Sequence, residues 1–160
     1  MAVDMFLKLD GIKGEAQDGK HKDEIDILSW SWGMSNTGSG HVGGGSGTGK
    51  VSVQDLSFTK NVDRATSLLI GRCASGTHIK EGFLYARKAG GDKPLEYLKI
   101  EMRDILVSSY QIGGSEERPV EQVSLNFSKV IVYYQPQKKD GSADGGTIDT
   151  GWDIARNQKI

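Results

Sequence analysis

The chain has 160 residues, with 20 lysines and arginines, 21 aspartates and glutamates, and one cysteine. That length fits a single domain, and a net charge of −1 argues against a protein built to coat DNA or an acidic membrane. One cysteine cannot form an internal disulfide, and no apolar run approaches the roughly 18 to 20 residues that a membrane-spanning helix needs.

The first predicted strand covers residues 3–9, and the second covers residues 25–35 after a polar, turn-like segment. The even positions of the second strand carry large apolar side chains: Leu28, Trp30, Trp32 and Met34. Its odd positions carry only small uncharged groups: Ser29, Ser31, Gly33 and Ser35. We expect the tryptophan face to pack inward, because indoles bury large areas. The opposite face suits either the wet wall of a pore or an ordinary exposed strand.

Residues 38–50 form a low-complexity segment dominated by glycine: Gly38, Gly40, Gly43, Gly44, Gly45, Gly47 and Gly49. Glycine loses the most backbone entropy on ordering, so we expect a flexible hairpin loop unless another subunit holds it. The G-x-G-x-x-G pattern is followed by more glycines and a strand, whereas a dinucleotide site needs a helix there. A near match to a phosphate-binding loop has Val51 where a magnesium-binding hydroxyl belongs.

Residues 51–60 predict a strand, and a helix with capping side chains at 61–63 follows and ends near Gly76. Four further strands are predicted over residues 79–88, 95–102, 105–112 and 120–134. In the last of these, the apolar face changes from odd to even positions near Ser128, which indicates a bulge or a strand that turns a corner between sheets. A polar linker from Pro136 leads to a short final strand anchored by Trp152 and Ile154.

Seven or eight strands with one helix predict a mainly β protein, built as a closed or sandwich-like antiparallel barrel. The side chains offer no catalytic constellation. The three histidines, His21, His41 and His78, lack metal-ligand spacing, and Cys73 falls on the apolar stripe of the helix. Basic residues are dispersed, so nucleic-acid binding is not predicted. We therefore predict no catalytic residue, no metal site, no cofactor and no enzyme activity.

Several segments, in order along nearly the whole chain, resemble the Hcp (hemolysin-coregulated protein) family of type VI secretion. They are residues 2–8, 27–35, 53–60, 87–91, 125–127, 132–137 and 151–154. The resemblance implies one tube domain over residues 1–160, with the glycine-rich loop at about 38–50 and a C-terminal linker and strand at about 136–160. It implies an antiparallel β-barrel of two sheets with one short α-helix, similar to phage tail-tube proteins.

The resemblance also implies an assembly. Six subunits close into a ring, rings stack into a tube, and a contractile sheath expels the tube behind a VgrG spike. Small effector proteins are carried and stabilised in the lumen. From the residues themselves, neither nucleic-acid binding nor membrane insertion is predicted. Residues 1–8 lack a basic leader followed by a long apolar core, so the protein is expected in the cytoplasm before secretion without a cleavable signal peptide.

By the same resemblance, Ser31 is the best candidate for contact with cargo in the lumen, with Ser29 and Gly33 beside it. The glycine-rich loop matches the loop that family members project toward the next ring. Two alternatives stay open from the residues. One is a monomeric β-barrel that binds a small ligand, and the other is a nucleotide-binding enzyme that uses the glycine-rich loop.

Overall fold

The computed structural model describes residues 3–36, 50–88, 94–114 and 117–160. In chain order the elements are β1 (Val3–Leu9), β2 (Ile25–Asp26), β3 (Ser29–Ser31), β4 (Met34–Asn36), β5 (Val51–Val53), β6 (Leu56–Asn61), α1 (Thr66–Ser75), β7 (Ile79–Lys88), β8 (Glu96–Gly113), β9 (Val120–Asn126), β10 (Lys129–Tyr134), β11 (Ile148–Asp153) and β12 (Gln158–Lys159). Within the described residues, the predicted mainly β chain with one short helix is confirmed. The predicted final strand is β11, which contains Trp152 and stops one residue before Ile154.

The longest strand, β8, belongs to two sheets. Its first part pairs with β7 and β10 in sheet 1, whose order is β2-β1-β7-β8-β10-β11-β12. Its second part pairs with β9 in sheet 2, which continues through β6 to β3. Every one of these strand pairs is antiparallel, so the predicted antiparallel arrangement of two sheets is confirmed.

Asp104 marks the point where β8 passes from sheet 1 to sheet 2. Met102 before it and Ile105 after it are both fully buried, although an unbroken strand would point them to opposite faces. Asp104 takes up the change with a positive φ of 54°, a conformation that aspartate tolerates better than most residues. The sequence predicted two strands here, over residues 95–102 and 105–112. That prediction was wrong, because the backbone bends at Asp104 without leaving the strand.

The chain turns the same corner a second time near Ser128. Strand β9 ends at Asn126 in sheet 2, and β10 begins at Lys129 in sheet 1. Between them, the Ser128 N–H donates to the carbonyl of Arg103 over 3.0 Å. The change of apolar face predicted from the sequence is therefore confirmed as a corner between the two sheets.

The predicted strand over residues 25–35 is three short strands, β2, β3 and β4. Ile27 N–H donates to the Met5 carbonyl at 3.0 Å, and the next N–H, that of Leu28, donates to the Thr59 carbonyl at 2.9 Å. The chain thus steps from the edge of sheet 1 to the edge of sheet 2. These two bonds, rather than a ladder between β2 and β3, link the sheets on this side. Leu28, predicted to face inward, lies at the step and is 49% exposed.

Strands β4 and β5 pair as an antiparallel hairpin, from Met34 opposite Val53 to Asn36 opposite Val51. Their connection is the predicted glycine-rich loop, which lies outside the described residues apart from Lys50. The predicted strand over residues 51–60 is divided into β5 and β6 at Gln54 and Asp55.

Helix α1 packs on β8. The Asp63 carboxylate accepts the Ala65 N–H at 2.8 Å, which confirms a capping side chain before the first helical turn. Gly76 ends the helix with a φ of 69°. Leu69 is fully buried, whereas Leu68 is 43% exposed.

The core lies between the two sheets. Sheet 1 contributes Leu7, Leu84, Ile100 and Met102, and sheet 2 contributes Leu56, Phe58, Val123 and Leu125. None of these side chains is more than 2% exposed, and burial of one such side chain contributes about 1.5–3 kcal/mol. With the core on one side of sheet 2, the other side of that sheet is left facing outward.

Candidate functional site

The middle of the outward side of sheet 2 carries small or medium polar side chains without charge, and the same side ends at the exposed apolar Val120. We call the uncharged polar surface the neutral face. It consists of Ser29, Ser31, Ser57, Thr59, Ser109, Gln111, Gln122 and Ser124. None of the eight residues is buried. The alternation within each strand explains the placement, because residues between them, such as Phe58 and Val123, point into the core.

The strand register aligns the neutral face into two rows that cross all four strands. In the first row Ser31 lies opposite Ser57, and Ser124 lies between Ser57 and Ser109. In the second row Ser29 lies opposite Thr59, and Gln122 lies between Thr59 and Gln111: these pairs follow from the same register.

The hydroxyl groups of the neutral face bond to one another. The hydroxyl oxygens of Ser29 and Thr59 are 2.6 Å apart. The Ser109 hydroxyl donates to Ser124 Oγ over 2.8 Å, and Ser57 Oγ lies 3.4 Å from the same Ser124 oxygen. A surface whose polar groups are already paired stays wetted and offers few strong, unsatisfied groups to a passing molecule.

No outward-facing residue of β3, β6, β9 or residues 106–113 carries an ionisable side chain. These strands contain two charged residues, Lys60 and Glu121. Both point inward and are fully buried. Charged residues make up 26% of the sequence, so a face of this width without any is a specific feature of sheet 2.

One carboxylate adjoins the neutral face at the start of β6. Asp55 accepts the Ser108 hydroxyl at 2.6 Å and the Asn126 side-chain amide at 2.9 Å. Its two oxygens are therefore tied to β8 and β9 at one end of the neutral face.

The outward side of sheet 1 has a different chemistry, because it is aromatic and charged. Lys99 Nζ lies 4.2 Å from the ring centroid of Tyr133 and 5.8 Å from that of Phe83. The Tyr133 hydroxyl donates to Glu101 at 3.0 Å. Burial, together with nearby carboxylates such as Glu24, raises the pKa of Tyr85 to about 12. The two outward surfaces of the chain are thus suited to different neighbours.

The structure places two of the three predicted lumen residues on the neutral face. Ser29 and Ser31 are exposed there, with Trp30 partly buried behind them. Gly33 lies after β3, outside both rows, where its carbonyl accepts the Gln54 N–H at 2.9 Å. The six other members of the neutral face were missed from the sequence, although β6 and β9 show the same alternation of small polar and apolar residues that singled out β3.

The glycines predicted to form the stacking loop lie outside the described residues: Gly38, Gly40, Gly43, Gly44, Gly45, Gly47 and Gly49. The residues that flank them, Asn36 and Val51, are paired in the β4–β5 hairpin.

His21 lies in the loop between β1 and β2 and is only 4% exposed. Its ring stacks on Phe6 with a centroid distance of 4.5 Å, and its Nδ1 lies 3.0 Å from a Glu24 oxygen. Its Nε2 contacts Glu96. Among the residues that the structure describes, no three histidines, cysteines or carboxylates are placed together to hold a metal ion. Cys73 is partly buried against the core, as predicted.

Comparison with known proteins decides the family. Residues 6–134 match the family model described as a type VI secretion system effector, Hcp. The chain belongs to the Hcp family. It is similar to Protein hcp1 of Pseudomonas aeruginosa (strain PAO1), with 55% identity over 159 residues that cover 98% of each chain.

Solved structures of the Hcp family agree with this assignment. The crystal structure of Hcp1 from Salmonella typhimurium is 42% identical, with a TM-score of 0.83 and full coverage of both chains. A structure described as a type six secretion system protein is 32% identical, with a TM-score of 0.90 over 99% of this chain and 100% of the other. The resemblance stated from the sequence is confirmed, and the chain is an Hcp protein of type VI secretion. Within the described part of the chain, no helix combines the length and the apolar character needed to cross a bilayer.

Proposed function

We propose that this chain is a structural subunit of the type VI secretion tube, with the neutral face lining the bore. Six copies close into a ring, rings stack, and sheath contraction expels the tube behind a VgrG spike. The chain acts as one tube domain over residues 1–160 and has no catalytic role. Its synthesis is cytoplasmic, and the expelled tube carries it out of the cell.

The observation that carries this proposal is the neutral face itself. A bore must stay wet and must let other molecules pass, so charged or large apolar side chains on its wall would retain them. The two rows of the neutral face present hydroxyl and carboxamide groups only, several of which already bond to each other. An ordinary exposed sheet face in a chain with 26% charged residues has no need of this composition.

Ring closure places a requirement on the surface of each subunit. Each subunit must offer two different surfaces that join head to tail, because only such a heterologous contact closes into a ring. A stable contact of this kind buries on the order of 800 Å² per partner. Contacts between rings are proposed for the glycine-rich loop, from Gly38 to Gly49.

Cargo contact is proposed for Ser31, with Ser29 and Gly33 beside it. Serine hydroxyls make weak hydrogen bonds that exchange readily with water, so many of them hold a small effector protein reversibly. Ser31 stands at the β3 end of the first row of the neutral face, opposite Ser57.

The assembly is tested by light scattering and negative-stain microscopy of the purified protein. We expect a mass of six times the 17.4 kDa chain and six-fold rings. A monomer at high concentration would contradict the proposal and favour the small-ligand barrel. Micromolar binding of a labelled nucleotide that is lost in Lys50→Ala would favour the nucleotide-binding enzyme.

The cargo site is tested with Ser31→Arg. We expect rings of unchanged mass and a lower yield of co-purified effector, because a long cation blocks and charges the wall. Ser67→Arg is the matched control, since Ser67 is exposed on α1 and is not part of the neutral face. An effector yield that is equal in both variants would remove Ser31 from the site.

A further inference from the structure

We infer that the buried ion pair of Lys60 and Glu121 sets the register of sheet 2 and so aligns the rows of the neutral face. Both residues are positioning residues, since they point away from that face. The register belongs to the single chain and can be tested without a ring. Its consequence for cargo rests on the proposed function.

The ion pair lies between the two central strands of sheet 2. Lys60 of β6 is directly opposite Glu121 of β9, and both side chains are fully buried. The Lys60 ammonium contacts the Glu121 carboxylate and lies 2.9 Å from a carboxylate oxygen of Asp63. Two charges removed from water in this way are tolerated only when each keeps its partner.

Glu121 is also bonded to β8 and to α1. The Tyr110 hydroxyl of β8 donates to one of its oxygens, and the Thr66 hydroxyl of α1 donates to the other at 3.0 Å. Burial and the bond to Glu121 raise the pKa of Tyr110, so its hydroxyl stays protonated and remains a donor. One carboxylate therefore connects β6, β8 and α1 to β9.

The other inward residues do not specify the register as strongly. Leu56 lies opposite Leu125, and Phe58 lies opposite Val123. A slip of one residue would turn these apolar side chains outward, so the apolar pattern excludes it. A slip of two residues keeps the apolar side chains inward. In at least one of its two directions, Leu56 and Phe58 each exchange one apolar neighbour for another.

For Lys60, a slip of two residues in that same direction places Val123 opposite its ammonium group. Glu121 would then lose its only ammonium partner, and Lys60 would keep only Asp63, which lies three residues along its own chain. Removal of one partner from a buried pair is strongly destabilising, so this alternative register is disfavoured. The slip would also move Ser57 away from Ser124 and break both rows of the neutral face.

Cross-strand disulfides report the register directly. Residues directly opposite have Cα atoms about 4.5–5.5 Å apart, within the range of a disulfide, whereas diagonal neighbours are about 7–8 Å apart. In a Cys73→Ser background, Ser57→Cys is combined with Ser124→Cys as the native reporter. Combination with Gln122→Cys or Asn126→Cys reports a slip of two residues in either direction.

We expect the native reporter to oxidise almost fully and each slip reporter to about a tenth or less. With Lys60→Met and Glu121→Met added together, the chain keeps an apolar core and loses its charge pair. The oxidised fraction of a slip reporter should then rise at least threefold. An unchanged disulfide pattern in this background would overturn the inference.

A second background keeps the test valid if the Met variants fail to fold. Circular dichroism checks the folding of every variant. Lys60→Gln with Glu121→Gln keeps polar groups that bond to each other but removes both charges. This background should also raise the oxidised fraction of a slip reporter. If both backgrounds retain the native disulfide pattern, the apolar residues and turns set the register. A monomeric protein with a charge-dependent register would instead refute the ring and leave this inference standing.

Discussion

The guanidinium of Arg87 binds both carboxylate oxygens of Asp18, which lies 69 residues earlier in the chain. This bidentate pair fastens the polar segment of residues 11–24 to β7. The hydrogen bond from Arg87 lowers the pKa of Asp18 to about 2. The pair therefore stabilises the fold fully above the ordinary aspartate pKa, and its contribution is lost as the pH falls through about 2.

Because the pKa of Asp18 is lowered, the effect of Asp18→Asn on stability should depend on pH. The melting temperature of the variant should lie below that of the parent at neutral pH, and the gap should close as the pH falls from about 4 to 2. Thermal unfolding followed by circular dichroism measures the gap. Asp144→Asn, at an exposed carboxyl in the turn before β11, serves as control. A gap that stays constant down to pH 2 would contradict the role given to the pair.

Gly14 and Gly19 allow a matched test of packing in the same segment. A Cβ at Gly14 would lie 2.5 Å from the Glu24 carbonyl oxygen, whereas a Cβ at Gly19 would meet nothing within 4 Å. Gly14→Ala should lower the free energy of unfolding by about 1–3 kcal/mol, because backbone must move. Gly19→Ala should change it by less than about 0.5 kcal/mol. Urea unfolding measures the free energy of unfolding of both variants. Equal losses of stability would mean that the close approach at Gly14 is not maintained.

Leu69 tests the packing of α1 on β8. Because this side chain is fully buried, Leu69→Ala should destabilise the fold by about 2–5 kcal/mol. The control Leu68→Ala, one position along at a 43% exposed side chain, should cost clearly less. A similar loss of stability in both variants would show that α1 buries a different face.

The neutral face predicts cargo contacts beyond Ser31. Ser57→Arg and Ser124→Arg change the same row and should reduce the yield of co-purified effector as Ser31→Arg does. Thr77→Arg, at an exposed site after α1, should leave the yield unchanged. Pull-down at constant ring concentration measures the yield. If only Ser31→Arg lowers the effector yield, the cargo site is a single residue and not a row.

Much of this fold was predictable, because alternation within a strand depends on nearest neighbours in sequence. Strands β1 and β7 and helix α1 were predicted close to their observed bounds. The bend at Asp104 was not, since the change of buried face between Met102 and Ile105 fits two separate strands as well as one bent strand. The step at Ile27 and Leu28 depends on carbonyls of Met5 and Thr59, which lie far away in sequence.

The candidate site was only partly predictable for a related reason. Ser29 and Ser31 could be identified within one strand, but the rows exist only once four strands lie in register. Lys60 offered a signal in the sequence, because it occupies an inward position of β6 beside Leu56 and Phe58. Its partner Glu121 is separated from it by 61 residues, and only the strand pairing joins them.

Cryo-electron microscopy of the purified assembly tests the central claim most directly, because it shows both the symmetry and the surface that lines the bore. We predict closed six-fold rings in which Ser57 and Ser124 of every subunit face the central channel. Phe83 and Tyr133 of sheet 1 should then lie on the outside. Rings lined by sheet 1, or separate chains at high concentration, would contradict the account.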